Sequence, residues 1–494
     1  MDLKANNKRS QVTIAEANGI GNLPEHLSDS VLERLPIRDI IRTSILSKKW
    51  RYKWTTTRAL VFDEQFSNKL KKYGAFGRYG FIRVINQVLL IHKGSISKFY
   101  LYIPSMHLDN FLEVDQWLLF LSTKGLEDLT LANSSQPYQL PFCVFSCLEL
   151  TKLELTRCIF KPPLKFEGFL FLESLVLNYI DFRTQVGGTG INLPQLKKLT
   201  MRSCINAFNL QIKATQLQSL VVKNCHDVML LELLHSQWLA SVCIILGKPI
   251  KDYVRLKKMN LALMFSHMPK VQCLSIDAHF LKVFIAEKPE WFPHVVNNLK
   301  RLRLIDFSLG DLDDLHGVLC LLRNSPNLVE LRMTHTETAK SSYYLPMHMQ
   351  PGVEPASNHL ESPDCLDQTL NRLRTIDLSP FQGSKTQLLY VKMLLAHSPS
   401  LEKFTIQADG ALNGNKRFDI AKDLMRFPRA SAKAEMIYLD PKTFKMLVVI
   451  HVSKMVGGKR KCYICVPRFT RRFKFGCLRI MSLRETINYI VLLV

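Results

Sequence analysis

Long apolar runs are missing from this chain. Its two most apolar stretches, FKMLVVIHV at 444–452 and INYIVLLV at 487–494, fall well short of the roughly 18 residues that a membrane-spanning helix needs. The opening segment, MDLKANNKRSQVTIAEANG, holds no apolar stretch of the secretory type. Cysteine is sparse, with 12 in 494 residues. That excludes a disulfide scaffold, and together with the polar opening it leads to the expectation of an intracellular chain, cytoplasmic or nuclear, with reduced thiols. Acidic residues are in deficit: 42 Asp and Glu stand against 66 Lys and Arg, a net charge of +24. Such a balance admits nucleic acid, an acidic protein or an anionic surface as partner and selects none of them.

Motifs that carry chemistry are missing too. Gly457-Gly458-Lys459-Arg460 lacks the spacing and the hydroxyl of a phosphate-binding loop, and no H-E-x-x-H occurs. Cys462 and Cys465 form a lone C-x-x-C, whereas a structural zinc site takes four ligands. The 14 histidines are scattered, with no nucleophile–base spacing among them. The expectation is a non-enzymatic chain with no catalytic residue, no metal and no cofactor.

What is present is globular: 47% hydrophobic and 22% charged residues. A length of 494 residues exceeds one ordinary domain of roughly 100–200 residues, but a repeat array can fill it. The pattern L-x-x-L-x-L, with apolar replacements, begins at Ile96, Leu126, Leu150, Leu172, Leu196, Leu217, Leu239, Val271, Leu299, Leu328, Leu373 and Leu401. From Leu126 to Leu239 the steps are 24, 22, 24, 21 and 22 residues, and later ones run from 28 to 45. Five successive steps inside the 20–29 window identify leucine-rich repeats, each supplying a short strand whose leucines turn inward. Cys158, Cys204 and Cys225 stand at the ninth position of their repeats, which predicts buried structural thiols. The polar stretch 336–365, rich in Pro and Ser, reads as a loop or linker. Such an insertion is a candidate recognition element, although a plain spacer is the simpler reading.

Ahead of the repeats, residues 1–22 are polar and read as a flexible N-terminus. A helix is predicted from Leu23-Pro24, with Leu27, Val31, Leu32 and Leu35 on one stripe and Pro36 as its stop. A second run holds Ile37, Ile40, Ile41, Ile45 and Leu46, followed by Trp50 and Trp54. Helices this short are marginal alone, so the segment must pack on the rest of the chain or be completed by a partner.

The words LPEHLSDSVLERLPIRDIIRTSILSKKWRYKW, within 20–62, resemble the plant type of F-box. That resemblance implies a three-helix motif docking on a Skp-type adaptor, which joins it to a cullin–RING ubiquitin ligase. It also implies Leu23, Pro24, Leu27, Leu35, Pro36, Ile37 and Leu46 as adaptor-binding or motif-core positions. Near the other end, FQGSKTQLLYVKMLLAHSPSLEKFTI and RFPRASAKAEMIYLDP resemble the FBD domain, covering about 366–440. Taken together the chain resembles the plant F-box/FBD/leucine-rich-repeat family. The expected fold is α/β: an F-box at 20–62, a solenoid at 96–335 and an FBD-like unit at 366–440. The resemblance implies a substrate receptor that holds a target protein on its repeats.

Residues 441–494 lie beyond the resemblance. They hold twelve Lys and Arg and one acid, Glu485, and so supply +11 of the net charge. They read either as a basic anion-binding arm or as an extension outside the family pattern, the second being favoured. The competing function is a non-ligase repeat scaffold that binds nucleic acid or another anion through this tail. It is weakened because the rest of the chain carries only +13 and because the tail has few interleaved aromatics for base stacking.

Overall fold

The computed structural model describes residues 24–46, 50–72, 77–104, 111–183, 190–207, 211–225, 236–248, 268–285, 296–334, 353–362, 366, 370–441, 450–456 and 459–465. The chain forms two units, Met1–Leu439 and Asp440–Val494.

The first unit is built on one parallel sheet of 14 strands, in which spatial order equals chain order. All twelve repeat words become strands of this sheet, each starting two residues into its word. The run goes from Lys98–Ile103 through Asp128–Asn133, Lys152–Thr156, Ser174–Asn178, Lys198–Arg202, Ser219–Lys223 and Ser241–Ile245 to Cys273–Asp277. It continues through Arg301–Ile305, Glu330–Thr334 and Thr375–Phe381 to Lys403–Ala408. Two strands lie outside the words: Ala59–Phe62 precedes the first and Glu435–Leu439 follows the last.

The inward positions are the first, fourth and sixth of each word. In the word that begins at Leu217, Leu217, Leu220 and Val222 are fully buried, and the same three positions are buried in every other word. Because a strand alternates its faces, the residues between them point to solvent. Burying each apolar side chain contributes roughly 1.5–3 kcal/mol, but only when a neighbouring repeat covers it.

Spacing decides how the chain returns between strands. Where steps are 21–24 residues the described parts of the return hold short strand pairs and one turn of helix, Phe142–Phe145, and the eighth position takes a left-handed conformation at Arg157, Tyr179, Ser203 and Asn224, with φ of 54, 55, 51 and 53°. Gly168 stands where a Cβ would run into the Asn192 carbonyl. After the words that begin at Val271, Leu299 and Leu373, where steps are longer, a helix occupies the return: Ala278–Ile285, Leu312–Arg323 and Lys385–His397. Asp311 caps the second, accepting from the backbone N–H of Asp313 and Asp314, and a Ser384–Gln387 capping box starts the third. The stretch expected to be loop at 336–365 also contains a helix, Val353–Glu361. It packs on the Lys385–His397 helix, with Ala356 and Leu360 buried one turn apart. Pro355 sits in its first turn, where a missing N–H costs little.

At the N-terminal end, helix Glu25–Leu32 starts after Pro24 and helix Ile37–Arg42 after Pro36. Pro36 therefore opens the second helix rather than stopping the first, which already ends at Leu32. Tight turns at Thr43–Ile45 and Lys53–Thr56 stand where the long second run read as helix. Leu32, Ile40 and Trp50 form a small core with Leu35 and Trp54 against it. Ile37 instead joins the large core of the repeats, together with Leu60 and Phe62. Strand Ala59–Phe62 pairs in parallel with Lys98–Ile103, so motif and solenoid are continuous.

His92 pins this junction. Its Nε2 donates to the Thr57 carbonyl at 2.8 Å, and the Lys93 N–H donates to the Thr55 carbonyl at 2.8 Å. Burial holds His92 below the ordinary imidazole value of 6.5. The C-terminal unit contains an antiparallel hairpin, Ile450–Val456 with Lys459–Cys465.

Two outcomes are expected. Leu220→Ala should cost about 2–5 kcal/mol in chemical denaturation, while Ser219→Ala, one residue away on the solvent face, should stay within about 0.5 kcal/mol. Equal costs would refute the alternation. Second, an unfolded chain takes up a proton at His92 as pH drops through about 6.5 while the folded chain resists it, so stability is lost on acidification. Denaturation midpoints between about pH 7 and 5.5 should fall less steeply for His92→Gln than for wild type.

Candidate functional site

Two short helices cannot cover all the apolar residues they carry, and the N-terminal motif shows which are left over. On Glu25–Leu32, Ser28 and Leu32 turn inward. Leu27 and Val31, four residues apart on the other side, remain 46% and 44% exposed. At the turn after the second helix, Ile45 is 86% and Leu46 50% exposed. Four bare aliphatic side chains thus stand on about twenty residues of chain, beside a closed core of Leu32, Ile40 and Trp50.

The positions expected to bind an adaptor divide into groups. Pro24, Leu27 and Leu46 are exposed, and Leu35 and Pro36 are half-buried. Ile37 is fully buried and cannot touch a partner. It belongs to the large core of the repeats, because its helix lies on strand Ala59–Phe62. Leu23 lies outside the described residues. Val31 and Ile45, on the apolar periods of their runs, are exposed as well and stand outside the positions that the resemblance implies.

Charge frames this surface without crossing it. Lys53 is sunk between Ser28 and Asp29, with its Nζ 3.0 Å from the Asp29 carboxylate. Arg38 pairs with Asp39 at 2.8 Å. Lys53 thereby ties the Lys53–Thr56 turn back to the first helix.

The ninth-position thiols are buried as expected. Cys158 is fully enclosed, and burial pushes its thiol up to about 12. Cys204 donates to the Leu177 carbonyl at 3.4 Å, and its backbone N–H donates to the Cys225 sulfur at 3.3 Å. A side-chain bond to Cys225 and burial raise the Cys204 thiol far above its ordinary value. The raised Cys158 and Cys204 thiols stay protonated at neutral pH, the bond with Cys204 holds the Cys225 thiol below its ordinary value, and all three serve as packing between repeats. Among the described residues no cluster of three or more His, Cys, Asp or Glu could hold a metal, and no helix is long and apolar enough to cross a membrane. The Cys462–Cys465 side chains lie outside the described ones.

Two family models match the sequence. The F-box domain matches residues 20–60, and the LRR domain of At1g61320/AtMIF1 matches residues 88–434. Fold and matches together define the class: an F-box joined to a leucine-rich-repeat domain. The chain is 31% identical over 422 residues to the F-box/FBD/LRR-repeat protein At1g13570 of Arabidopsis thaliana, spanning 85% of this chain and 98% of that protein. It is 22% identical over 456 residues to the FBD-associated F-box protein At5g56370 of the same plant, covering 85% and 100%. The chain belongs to the plant F-box/FBD/LRR-repeat family.

The division of the motif is measurable. Trp50→Ala should cost about 3–5 kcal/mol in stability, whereas Leu27→Ser and Val31→Ser should leave the thermal midpoint of the isolated chain unchanged or slightly raised. A large loss with either serine variant would place those residues in the core.

Proposed function

We propose that this chain is the substrate receptor of a Skp–cullin–F-box ubiquitin ligase. The observation that carries the reading is the bare set Leu27, Val31, Ile45 and Leu46 on a motif whose own core is complete. An adaptor that covered it would gain the apolar area the fold leaves in water, and interface energy concentrates in a few such anchors. Pro24 and the half-buried Leu35 and Pro36 border the same motif, and Leu23 completes the proposed set.

The mechanism is proximity. The motif holds the adaptor, the repeats hold a target protein, and the ubiquitin-carrying enzyme of the ligase meets target lysines at high effective concentration. No bond is made or broken on this chain. The FBD-like unit at 366–440 acts within the receptor as its last repeats, since Thr375–Phe381, Lys403–Ala408 and Glu435–Leu439 extend the same sheet. The work is done where cullin–RING ligases operate, in cytoplasm or nucleus.

Co-purification of the full chain with a plant Skp-type adaptor tests this. Wild type should give a stoichiometric complex. Leu27→Asp combined with Leu46→Asp should abolish it, as should Leu23→Ala with Pro24→Ala, both with an unchanged denaturation midpoint. Removing 441–494 should leave the complex intact. A complex that survives both double variants refutes the docking assignment, and a complex lost with the tail favours the basic scaffold instead.

A further inference from the structure

The solvent face of the sheet does not carry its charge evenly. Near its start, Asp128 sits between Lys98 and Lys152 at 3.8 and 3.6 Å. Farther along, Arg332 sits between Glu330 and Asp377 at 3.1 and 3.0 Å. Both stretches are matched. Between them lie six consecutive strands, Ser174–Asn178 to Arg301–Ile305, whose outward positions hold five cations and no carboxylate. These are Lys198, Arg202, Lys223, Arg301 and Arg303. Asp277, the acid of this stretch of strands, is fully buried and accepts from the backbone N–H of Gly247 and Phe280. Glu173, at a strand entrance, is taken by Lys197 at 2.7 Å.

None of the five cations forms an ion pair with the described residues. Arg202 reaches only the Asn178 amide oxygen, Arg303 only the Thr334 hydroxyl, and Arg301 lays Nε and Nη2 on the Cys273 sulfur at 3.1 and 2.8 Å. The register sets Arg202 directly opposite Lys223, an arrangement that costs a sheet stability. Cys243, beside Val221 of the strand that carries Lys223, feels Lys223, Arg303 and Arg202 along with the buried Asp277.

We infer that this strip of cations is the target-binding surface, and that it takes an extended acidic segment of a protein. The inference rests on the receptor reading and names the chemistry of the substrate. Lys198, Arg202 and Lys223 lie on neighbouring strands, and Arg301 and Arg303 lie three strands beyond Lys223. That gap is about 14 Å at the usual interstrand spacing, too wide for one phosphate and spanned by about four extended residues. Val176 and Val221 add small apolar patches to the floor, and the outward positions of these six strands include no aromatic ring, which disfavours stacked nucleic-acid bases.

Fluorescence anisotropy of the full chain with a fluorescein-labelled ten-residue peptide of alternating Glu and Val tests the surface. Wild type should bind it, more weakly as salt rises, and at least tenfold more tightly than the Gln–Val analogue. Lys198→Glu with Arg202→Glu, and Arg301→Glu with Arg303→Glu, should each weaken binding tenfold or more, whereas Lys403→Glu, a solvent-facing cation outside the strip, should not. Absence of binding, equal binding of the Gln–Val peptide, or equal binding by the double reversals overturns the inference. So does displacement of the peptide by inorganic phosphate, or by ten-residue oligouridine at lower concentration than by unlabelled peptide. Adaptor co-purification of the same variants is read separately. Lost peptide binding with a retained adaptor complex in wild type overturns the strip alone, and retained peptide binding without an adaptor complex overturns only the ligase role.

Discussion

A repeat word with three inward apolar residues has nothing of its own to bury them against, and this fold follows from that shortage. Each repeat is closed by the next, so the strands stack in chain order and in one direction. The same need acts at the ends. Strand Ala59–Phe62 supplies Leu60 and Phe62 to cover the first repeat, and helix Ile37–Arg42 adds Ile37 to the same core. At the other end Glu435–Leu439 is only half-buried, as suits a terminal strand with one neighbour. The N-terminal motif and the last repeats are thus the covers that a stack of this kind requires.

Closing the core this way leaves two very different surfaces. The N-terminal motif is too small to hide its apolar residues, so Leu27, Val31, Ile45 and Leu46 stay in water. The sheet hides every inward residue, and its outer face is free to carry charge. Ion pairs there are half-exposed and individually worth little. The matched stretches around Asp128 and Arg332 therefore do not hold the fold together, and the unmatched stretch between them does not endanger it. Stability comes from the leucine ladder, which leaves the outer face open to be shaped by binding.

Much of this was legible in the sequence, for a physical reason: period and burial are the same fact in a strand stack. All twelve L-x-x-L-x-L words are strands. The two strands outside them carry Thr57 and Lys433 where the word has its first leucine, because a terminal repeat lacks a neighbour on one side. Helix Val353–Glu361 carries no periodic signal, because Ala356 and Leu360 are too few to mark one. In the N-terminal motif the apolar positions were readable but their facing was not. Leu27 and Ile37 have the same chemistry and similar spacing. Only the contact of helix Ile37–Arg42 with strand Ala59–Phe62, some twenty residues on, sends one outward and the other inward. The left-handed eighth positions at Arg157, Tyr179, Ser203 and Asn224 share no residue type, so no sequence signal announced them.

The junction bears on how such a receptor would work. Effective concentration depends on how well a linker fixes two bound partners relative to each other, and a flexible connection dilutes it. Here the connection is a shared core. Ile37 sits in the repeat cluster, Ala59–Phe62 is paired to the first repeat, and His92 and Lys93 bind the carbonyls of Thr57 and Thr55. A target held on the sheet and an adaptor held on Leu27 and Leu46 would then stand at a separation set by the fold itself. The reach of the ligase to particular lysines would be governed by the number of repeats between the motif and the bound segment, and a change in repeat number would alter which lysines are reached without altering either contact.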